Sequence, residues 1–320
     1  MSESEAPIIV IAGPTASGKS HLALAVAREF GGAIINADSM QVYRDLRVLT
    51  ARPGETELAQ APHFLYGGID ASESCSAGRW RGLALTEIAR ARTARRLPII
   101  VGGTGLYLSA LLDGLADVPS VSAPIITETR ELHARLGGEK FRAALAELDA
   151  EGAKRLHAGD TQRLIRAYAV VRATGVALSE WQRRQKGGAK PDAAAIVLLP
   201  PRDALYAAID ARLQSMFDQG AVEEVRALSA RKLAPDLPVM KAVGVREIAD
   251  FLAGKLTREQ ALNAAQQATR RYAKRQYTWL HHHLKSGKKL QKLTLEEKLS
   301  ERLLPEILSF IRQFLLTTRV

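Results

Sequence analysis

The sequence predicts an α/β protein in which a parallel sheet carries helices on both faces and an all-helical segment is inserted into the chain. Short apolar runs rich in β-branched residues alternate with helix-length segments, which is typical of parallel strands covered by helices. A glycine-rich loop follows the first run, and the third and fourth runs are separated by nearly a hundred residues of mostly helical periodicity. The runs are Ile8–Ile11, Ala33–Ile35, Pro98–Val101 and Ala194–Leu199.

The composition is that of a globular protein with a basic surface. The chain has 320 residues, of which 47% are hydrophobic and 25% charged, enough for a sizeable core. The single cysteine, Cys75, excludes an internal disulfide and favours a reducing cytoplasm. No apolar run approaches the roughly 18 residues of a membrane span, so we expect no membrane association, and we expect a monomer. The net charge of +11 fits a solvated surface or a polyanionic partner.

The first apolar run leads into a phosphate-binding loop. In VIAGPTASGKS, Val10 to Ser20, the pattern Gly-x4-Gly-Lys-Ser follows a predicted strand and opens a helix, the context that this motif requires. Backbone N–H groups and the helix N-terminus attract phosphate oxygens, Lys19 adds a full charge, and the Ser20 hydroxyl is a candidate Mg²⁺ ligand. The loop makes the predicted core P-loop NTPase-like, although any pyrophosphate would satisfy it. The predicted diphosphate-binding residues are Gly13, Pro14, Thr15, Ala16, Ser17, Gly18, Lys19 and Ser20.

Two polar residues follow other apolar runs. Asp38 comes after the run in AIINADSMQVY, and Thr104 comes after the run in PIIVGGTGLYL. Ligands bind at the carboxyl ends of parallel strands, so both residues are candidates for chemistry. Asp38 could instead cap a helix, and the glycines around Thr104 could merely turn the chain. A P-loop kinase usually has a further carboxylate at a strand end, and none follows the third or fourth run.

The periodicity also suggests how the chain is divided. The stretch RQKGGAKPD, Arg184 to Asp192, is rich in glycine, proline and lysine and is predicted to be the linker by which the insertion returns to the core. Beyond Leu199 the pattern predicts helices to the end of the chain, with Pro305 starting or kinking the last one. The predicted parts are a discontinuous core (1–113 and 193–285), a helical insertion (114–192) and a helical tail without an assigned function (286–320).

Basic residues concentrate on one predicted helix. The stretch Gln267–Lys285 interleaves basic and aromatic residues at helical spacing, which suits phosphates and unstacked bases but also an ordinary solvated face. The neighbouring histidines His281–His283 cannot all face one metal ion from a helix, so no metal role is predicted for them. The basic and interleaved residues are Arg270, Arg271, Tyr272, Lys274, Arg275, Gln276 and Trp279.

An ordered series of motifs from about Ile8 to Leu280 resembles the bacterial tRNA dimethylallyltransferases. The series includes GPTASGKS, NADSMQVYRDLRVLTARP, APHFL, PIIVGGTGLYLSALLDGL, RLHAGDTQRLIRAYAV, LPVMKAVGVREI and YAKRQYTWL. The resemblance implies transfer of a dimethylallyl group from dimethylallyl diphosphate to the exocyclic N6 amine of an adenine. That adenine lies 3′ to the anticodon in tRNAs that read codons beginning with U. The phosphate loop would hold the isoprenoid diphosphate with Mg²⁺, and ATP is not needed.

The resemblance also implies residue roles. Asp38 would be the general base, Thr104 would contact the diphosphate, and Ser20 would reach the metal. The insertion would grip the anticodon stem-loop opposite the basic helix, and the target adenine would flip into a channel through the core. The implied tRNA-binding residues are Asp38, Ser39, Met40, Gln41, Thr104, Gln162, Arg163, Leu164, Ile165, Arg166, Lys241, Arg246, Arg270, Arg271, Lys274 and Arg275.

The sequence departs from the family pattern at three places. Leu49 stands where a glycine is usual, Ile126–Thr127 where an arginine normally approaches the tRNA, and Val245 where a tyrosine is common. Three alternative functions remain open at this point. They are prenylation of free adenine nucleotides, phosphorylation of a small metabolite, and RNA binding without catalysis.

Overall fold

A computed structural model describes residues 7–116, 118–183, 191–287 and 289–318. Six strands form one parallel sheet in the order β3-β2-β4-β1-β5-β6. The central strand β1 is completely buried because helices cover both faces of the sheet. The strands are β1 (Ile8–Ala12), β2 (Gly32–Asn36), β3 (His63–Phe64), β4 (Leu97–Gly102), β5 (Ala193–Leu198) and β6 (Leu290–Leu295).

Thirteen α-helices accompany these strands in the described residues. Short 3₁₀ segments precede α11 and α13, at Pro238–Lys241 and Glu301–Leu303. The helices are α1 (Lys19–Phe30), α2 (Glu55–Leu58), α3 (Ala77–Thr93), α4 (Gly105–Leu112), α5 (Ala123–Leu148), α6 (Ala150–Arg155), α7 (Thr161–Thr174), α8 (Leu178–Arg183), α9 (Arg202–Asp218), α10 (Ala221–Ala230), α11 (Val245–Leu252), α12 (Arg258–His283) and α13 (Leu304–Thr317).

The predicted fold class is confirmed. Each of the four apolar runs forms a strand of the parallel sheet, with ends that differ from the prediction by one residue. Strands β2 and β4 are neighbours, and β4 lies beside β1. The carboxyl ends of these three strands therefore meet at one edge of the sheet, where parallel sheets bind their ligands.

The prediction that the chain is helical throughout beyond Leu199 is wrong. Residues 290–295 form β6, which pairs in parallel with β5 at the edge of the sheet. Its sequence, LQKLTL, has no strict alternation, and only Leu295 is fully buried. An edge strand with polar side chains carries little signal of its own, because its extended backbone is stabilised by pairing with its neighbour. The helix α13 does follow, with Pro305 in its first turn.

The tail is part of the core. The side chains of Ile307, Ile311 and Phe314 are buried in the same apolar cluster as Ile9 and Ile11 of β1. Within the part of the chain that the structure describes, none of the helices is long and apolar enough to cross a bilayer.

The insertion forms a second compact unit. The chain divides into one unit of residues 1–112 and 190–320 and another of residues 113–189, close to the predicted boundaries of 114 and 192. The second unit contains α5 to α8 around a small core that includes Phe141, Leu145 and Leu164. Most of the predicted return linker, residues 184–190, lies outside the described residues.

Candidate active site

The phosphate loop connects the carboxyl end of β1 to the first residue of α1. Gly18 has a φ of +93°, which favours glycine, and it lets the chain enter the helix with N–H groups facing the loop. A Cβ on Gly13 would lie 2.9 Å from the carbonyl oxygen of Leu198, so this position also requires glycine. The Ser17 hydroxyl is buried without a hydrogen-bond partner. A buried hydroxyl without a partner, next to the N-terminus of α1, suits an anionic ligand.

Lys19 points its charge into the loop. Its Nζ donates a hydrogen bond to the carbonyl oxygen of Pro14 at 2.7 Å. Burial lowers the pKa of Lys19 to about 8, while the charge of Asp38 raises it and that of Arg212 lowers it further. An anion bound in the loop would favour the charged form of Lys19.

Arg212 is a basic residue of the site that sequence reasoning missed. It lies on α9 and donates a hydrogen bond from Nη2 to the hydroxyl of Thr15 in the phosphate loop. Its Nε is buried and has no hydrogen-bond partner. Burial lowers the pKa of Arg212, and the charge of Asp38 partly opposes this effect. Its position on a helix with many exposed charges gave no signal in the sequence.

Asp38 follows β2 in a tight local turn. Its backbone N–H donates to the side-chain oxygen of Asn36 at 2.8 Å, and Asn36 returns a hydrogen bond to the Asp38 carbonyl at 3.0 Å. One carboxylate oxygen, Oδ1, accepts the backbone N–H of Met40 at 2.9 Å. Asp38 therefore caps a turn and not a helix, since no helix begins among the described residues between β2 and α2. Its charge also acts on both Lys19 and Arg212. The capping contact leaves the second carboxylate oxygen available, so it does not exclude a role in chemistry.

Thr104 lies beside the Asp38 segment because β2 and β4 are neighbours. Its hydroxyl accepts the backbone N–H of Ser39 at 3.0 Å and donates to the Ser39 hydroxyl at 3.3 Å. The side chain of Tyr272 lines a cavity that Ser39 also lines. Burial and the charge of Asp38 raise the pKa of Tyr272, so this hydroxyl stays neutral.

A cavity of about 240 Å³ opens in front of these residues. All of its lining residues belong to the first unit. They include the predicted residues Thr15, Asp38, Ser39, Met40, Lys241 and Arg275, together with Leu49, Thr50, Arg212, Leu213, Met216, Ala242, Val243, Thr269 and Tyr272.

Gln41, another predicted residue, supports the cavity without lining it. Gln41 donates from Nε2 to the carbonyl oxygens of Thr50 and Ala51, at 2.8 and 3.0 Å, and so shapes the next loop. Leu49, one of the departures from the family pattern, lines the cavity and packs on Gly244, where a Cβ would lie 2.8 Å from its Cδ1.

The predicted residues on the basic helix α12 differ in their exposure and in their partners. Arg270 pairs with Asp210, with Nε 2.9 Å from Oδ1, so its charge is largely neutralised within the protein. Arg271 and Lys274 are exposed. Arg275 lies over the ring of Tyr272, 5.7 Å from the ring centre.

The expected aromatic face beside these charges is only partly present. Trp279 packs so closely on Gly105 that a Cβ there would overlap its indole, and it stacks on His283 with ring centres 5.1 Å apart. Gln276 is buried. These two side chains are therefore committed to contacts inside the first unit, and Tyr272 is the one that reaches the cavity.

The residues of α7 that the resemblance implies to bind tRNA are partly buried and partly exposed. Leu164 is fully buried in the core of the second unit and Ile165 packs against the same cluster, so the Leu164 side chain does not lie on the surface of this unit. An amphipathic helix must place one face inward, and these residues occupy that face. Of the predicted tRNA-binding residues on α7, Gln162, Arg163 and Arg166 remain exposed.

The remaining predicted residues are exposed. Arg246 lies with its Nε 4.0 Å from a carboxylate oxygen of Asp250, outside the cavity. Ser20 is exposed at the start of α1. Among the described residues no group of three or more His, Cys, Asp or Glu side chains could hold a metal ion.

The fold and the cavity define a class of protein: a P-loop enzyme whose phosphate loop opens beside an aspartate and a threonine from neighbouring strands. The model of the IPP transferase family matches residues 41–283, and that of the isopentenyl transferase family matches residues 6–66. The chain belongs to the IPP transferase family, and the resemblance to these prenyl transferases is confirmed.

Known proteins similar to this chain include enzymes that modify tRNA. The tRNA dimethylallyltransferase of Rhodospirillum rubrum is 53% identical over 318 residues, which cover 99% of this chain and 97% of that protein. The structure of a tRNA isopentenylpyrophosphate transferase from Bacillus halodurans is 29% identical with a TM-score of 0.69, covering 98% of each chain. A eukaryotic dimethylallyltransferase acting on tRNA is 27% identical with a TM-score of 0.80, covering 96% of this chain and 80% of that one.

Proposed function

We propose that this chain transfers the dimethylallyl group of dimethylallyl diphosphate to the N6 amine of the adenine 3′ to the anticodon of tRNA. The observation that carries the proposal is the cavity itself, which joins Thr15 of the phosphate loop to Asp38. A diphosphate in the loop and a base in the cavity would meet beside Asp38 and Thr104. The names of the similar proteins support tRNA as the acceptor.

The chemistry assigns a proton acceptor to Asp38. The adenine amine is a poor nucleophile, because its lone pair is delocalised into the ring. As its nitrogen bonds to C1 of the dimethylallyl group, the C1–O bond to the diphosphate breaks and the nitrogen must lose a proton. The side chain of Asp38 takes that proton. The Thr104 hydroxyl is held by Ser39 and would contact the diphosphate.

The departing diphosphate requires neutralisation. Lys19 and Arg212 bring two positive charges to the loop, and the loop N–H groups add oriented dipoles. Burial lowers the pKa of both side chains, and a bound polyanion would stabilise their charged forms.

Mg²⁺ fits this site as a partner of the diphosphate. Mg²⁺ usually keeps several water ligands and binds through a few protein oxygens and substrate phosphates. The Ser20 hydroxyl, exposed at the start of α1, would hold it here. When bound, the ion supplies charge to the phosphate oxygens.

Exposed basic residues are the candidates for the tRNA backbone. Arg271 and Lys274 on α12, Lys241 at the cavity, and Arg163 and Arg166 on the insertion are exposed. A prenyltransferase for free nucleotides would need none of the residues outside the cavity. We further propose that the protein acts as a monomer in the cytoplasm.

One experiment distinguishes these functions. The protein is incubated with Mg²⁺, labelled dimethylallyl diphosphate and one of four acceptors: an unmodified anticodon stem-loop, the same stem-loop with guanine in place of the target adenine, AMP, or ATP. We expect label on the first acceptor alone. Label on AMP would favour the nucleotide prenyltransferase. In a parallel assay, ATP turnover that depends on Lys19 would favour a kinase, and binding of the stem-loop without label would favour a non-catalytic RNA-binding protein.

A further inference from the structure

Gln276 is a buried side chain whose amide oxygen and amide nitrogen both form hydrogen bonds. It lies on α12 and is 6% exposed. Its Oε1 accepts the backbone N–H of Thr15 at 2.9 Å, and its Nε2 donates to the carbonyl oxygen of Gly103 at 3.0 Å. One neutral side chain thus bridges the phosphate loop and the loop that carries Thr104.

Gly103 lets the phosphate loop and the Thr104 loop approach each other closely. A Cβ on Gly103 would overlap the Gln276 amide and lie 2.6 Å from the carbonyl oxygen of Gly13. The phosphate loop, the Thr104 loop and α12 therefore meet at one point, and each partner offers the complementary hydrogen-bonding group. A carboxylate could accept from Thr15 but not donate to Gly103.

A second side chain of the same helix reaches the site. Tyr272, one turn before Gln276, lines the cavity. Arg275, adjacent to Gln276, also lines the cavity. The side of α12 that faces the site therefore fixes the backbone before Thr104 and forms part of the cavity wall.

We infer that Gln276 is a positioning residue, which sets the distance between the phosphate loop and Thr104 and so aligns the diphosphate for transfer. This inference rests on the proposed prenyl transfer. A small displacement between reacting groups lowers the rate by roughly 10²-fold, far more than it changes substrate binding. Loss of Gln276 should accordingly appear in kcat, with little change in the affinity for the tRNA stem-loop.

The first test is Gln276→Met, which keeps the length of the side chain and removes both hydrogen bonds. We expect kcat to fall by roughly 10²-fold, with KM for dimethylallyl diphosphate and Kd for the stem-loop within a few-fold of the parent. Gln266→Met is the matched control, since Gln266 lies on the same helix and donates to the carbonyl oxygen of Asp210, 3.3 Å away. The control should keep the parental kcat.

The second test is Gln276→Glu, assayed across pH. The protonated carboxyl group offers one donor and one acceptor and therefore reproduces the pattern of the amide, whereas the carboxylate opposes the Gly103 carbonyl. Burial favours the neutral acid. Activity per folded molecule, relative to the parent, should recover as the pH falls from 8 towards 6, to the order of the parental rate.

The outcomes separate the inference from the proposed function. If the parent labels no tRNA, the proposed function fails. If the parent is active and the folded Gln276→Met variant keeps the parental kcat, Gln276 only stabilises the fold and the inference fails. If Gln276→Met does not fold, the inference depends on the Gln276→Glu variant, and a flat ratio of its activity to that of the parent across pH would refute it.

Discussion

Lys19 donates a hydrogen bond to the carbonyl oxygen of Pro14, 2.7 Å away, so its charge lies inside the loop that it serves. Burial lowers the pKa of Lys19 to about 8, and the nearby charge of Arg212 contributes to the effect. The folded protein therefore holds this cation at a cost in stability. A bound diphosphate would offset that cost.

Replacing Lys19 with Met should abolish prenyl transfer and raise stability at pH 7. The pKa of Lys19 is about 8 in the folded chain against an ordinary value of 10.5, so between these values the unfolded chain binds more protons. The parent therefore gains stability as the pH rises through this window. Below pH 8 the charge of Lys19 lowers the stability of the folded parent by its full amount. The advantage of the variant in urea-unfolding free energy should shrink accordingly.

The exposed Lys140→Met variant serves as the control and should show no such trend. An advantage of Lys19→Met that stays constant from pH 7 to pH 10 would contradict the burial of the Lys19 charge.

Replacing Asp38 with Asn should lower the transfer rate by roughly 10²–10⁴-fold, the usual contribution of a general base. The amide oxygen can still accept the N–H of Met40, so the turn and the affinity for tRNA should persist. Single-turnover kinetics and stem-loop binding measure the two effects. The exposed Asp203→Asn variant is the control. Turnover of Asp38→Asn within a few-fold of the parent would leave Asp38 with only its capping role.

Replacing both Arg271 and Lys274 with Ala should flatten the salt dependence of tRNA binding. The slope of log affinity against log salt should fall by about one unit per lost phosphate contact. Arg270→Ala is the comparison on the same helix, and it should change the slope less because Asp210 already pairs with Arg270. Equal slopes for the parent and the double variant would exclude this face of α12 from the tRNA interface.

Replacing Phe314 with Ala should destabilise the first unit by roughly 3–5 kcal/mol, as expected for a large side chain removed from a core. Phe314 is 2% exposed in the cluster that contains Ile9 and Ile11. Leu316→Ala, at a side chain that is 73% exposed, should change the unfolding free energy little. Chemical denaturation compares the two, and similar effects would show that α13 does not pack as described.

Local patterns determined much of the fold and part of the site. The strands β1, β2, β4 and β5 could be predicted because each is an apolar run flanked by turn residues. The phosphate loop has its own sequence motif, and Asp38 and Thr104 could be predicted to lie near it because parallel strands end at a common edge. The edge strand β6 could not, because its conformation depends on pairing with β5.

The sequence by itself determined the family, the phosphate loop and the helical insertion, because each of these is written in residues that are close together in the chain. Only the tertiary structure decided which polar side chains serve the site. Gln276 and Thr15 are 261 positions apart and Arg212 and Thr15 are 197 apart, so no local pattern joins them. Leu164 and Arg163 are adjacent in the sequence, but one is buried and the other exposed. The physical reason is that burial and hydrogen bonding depend on packing between distant segments.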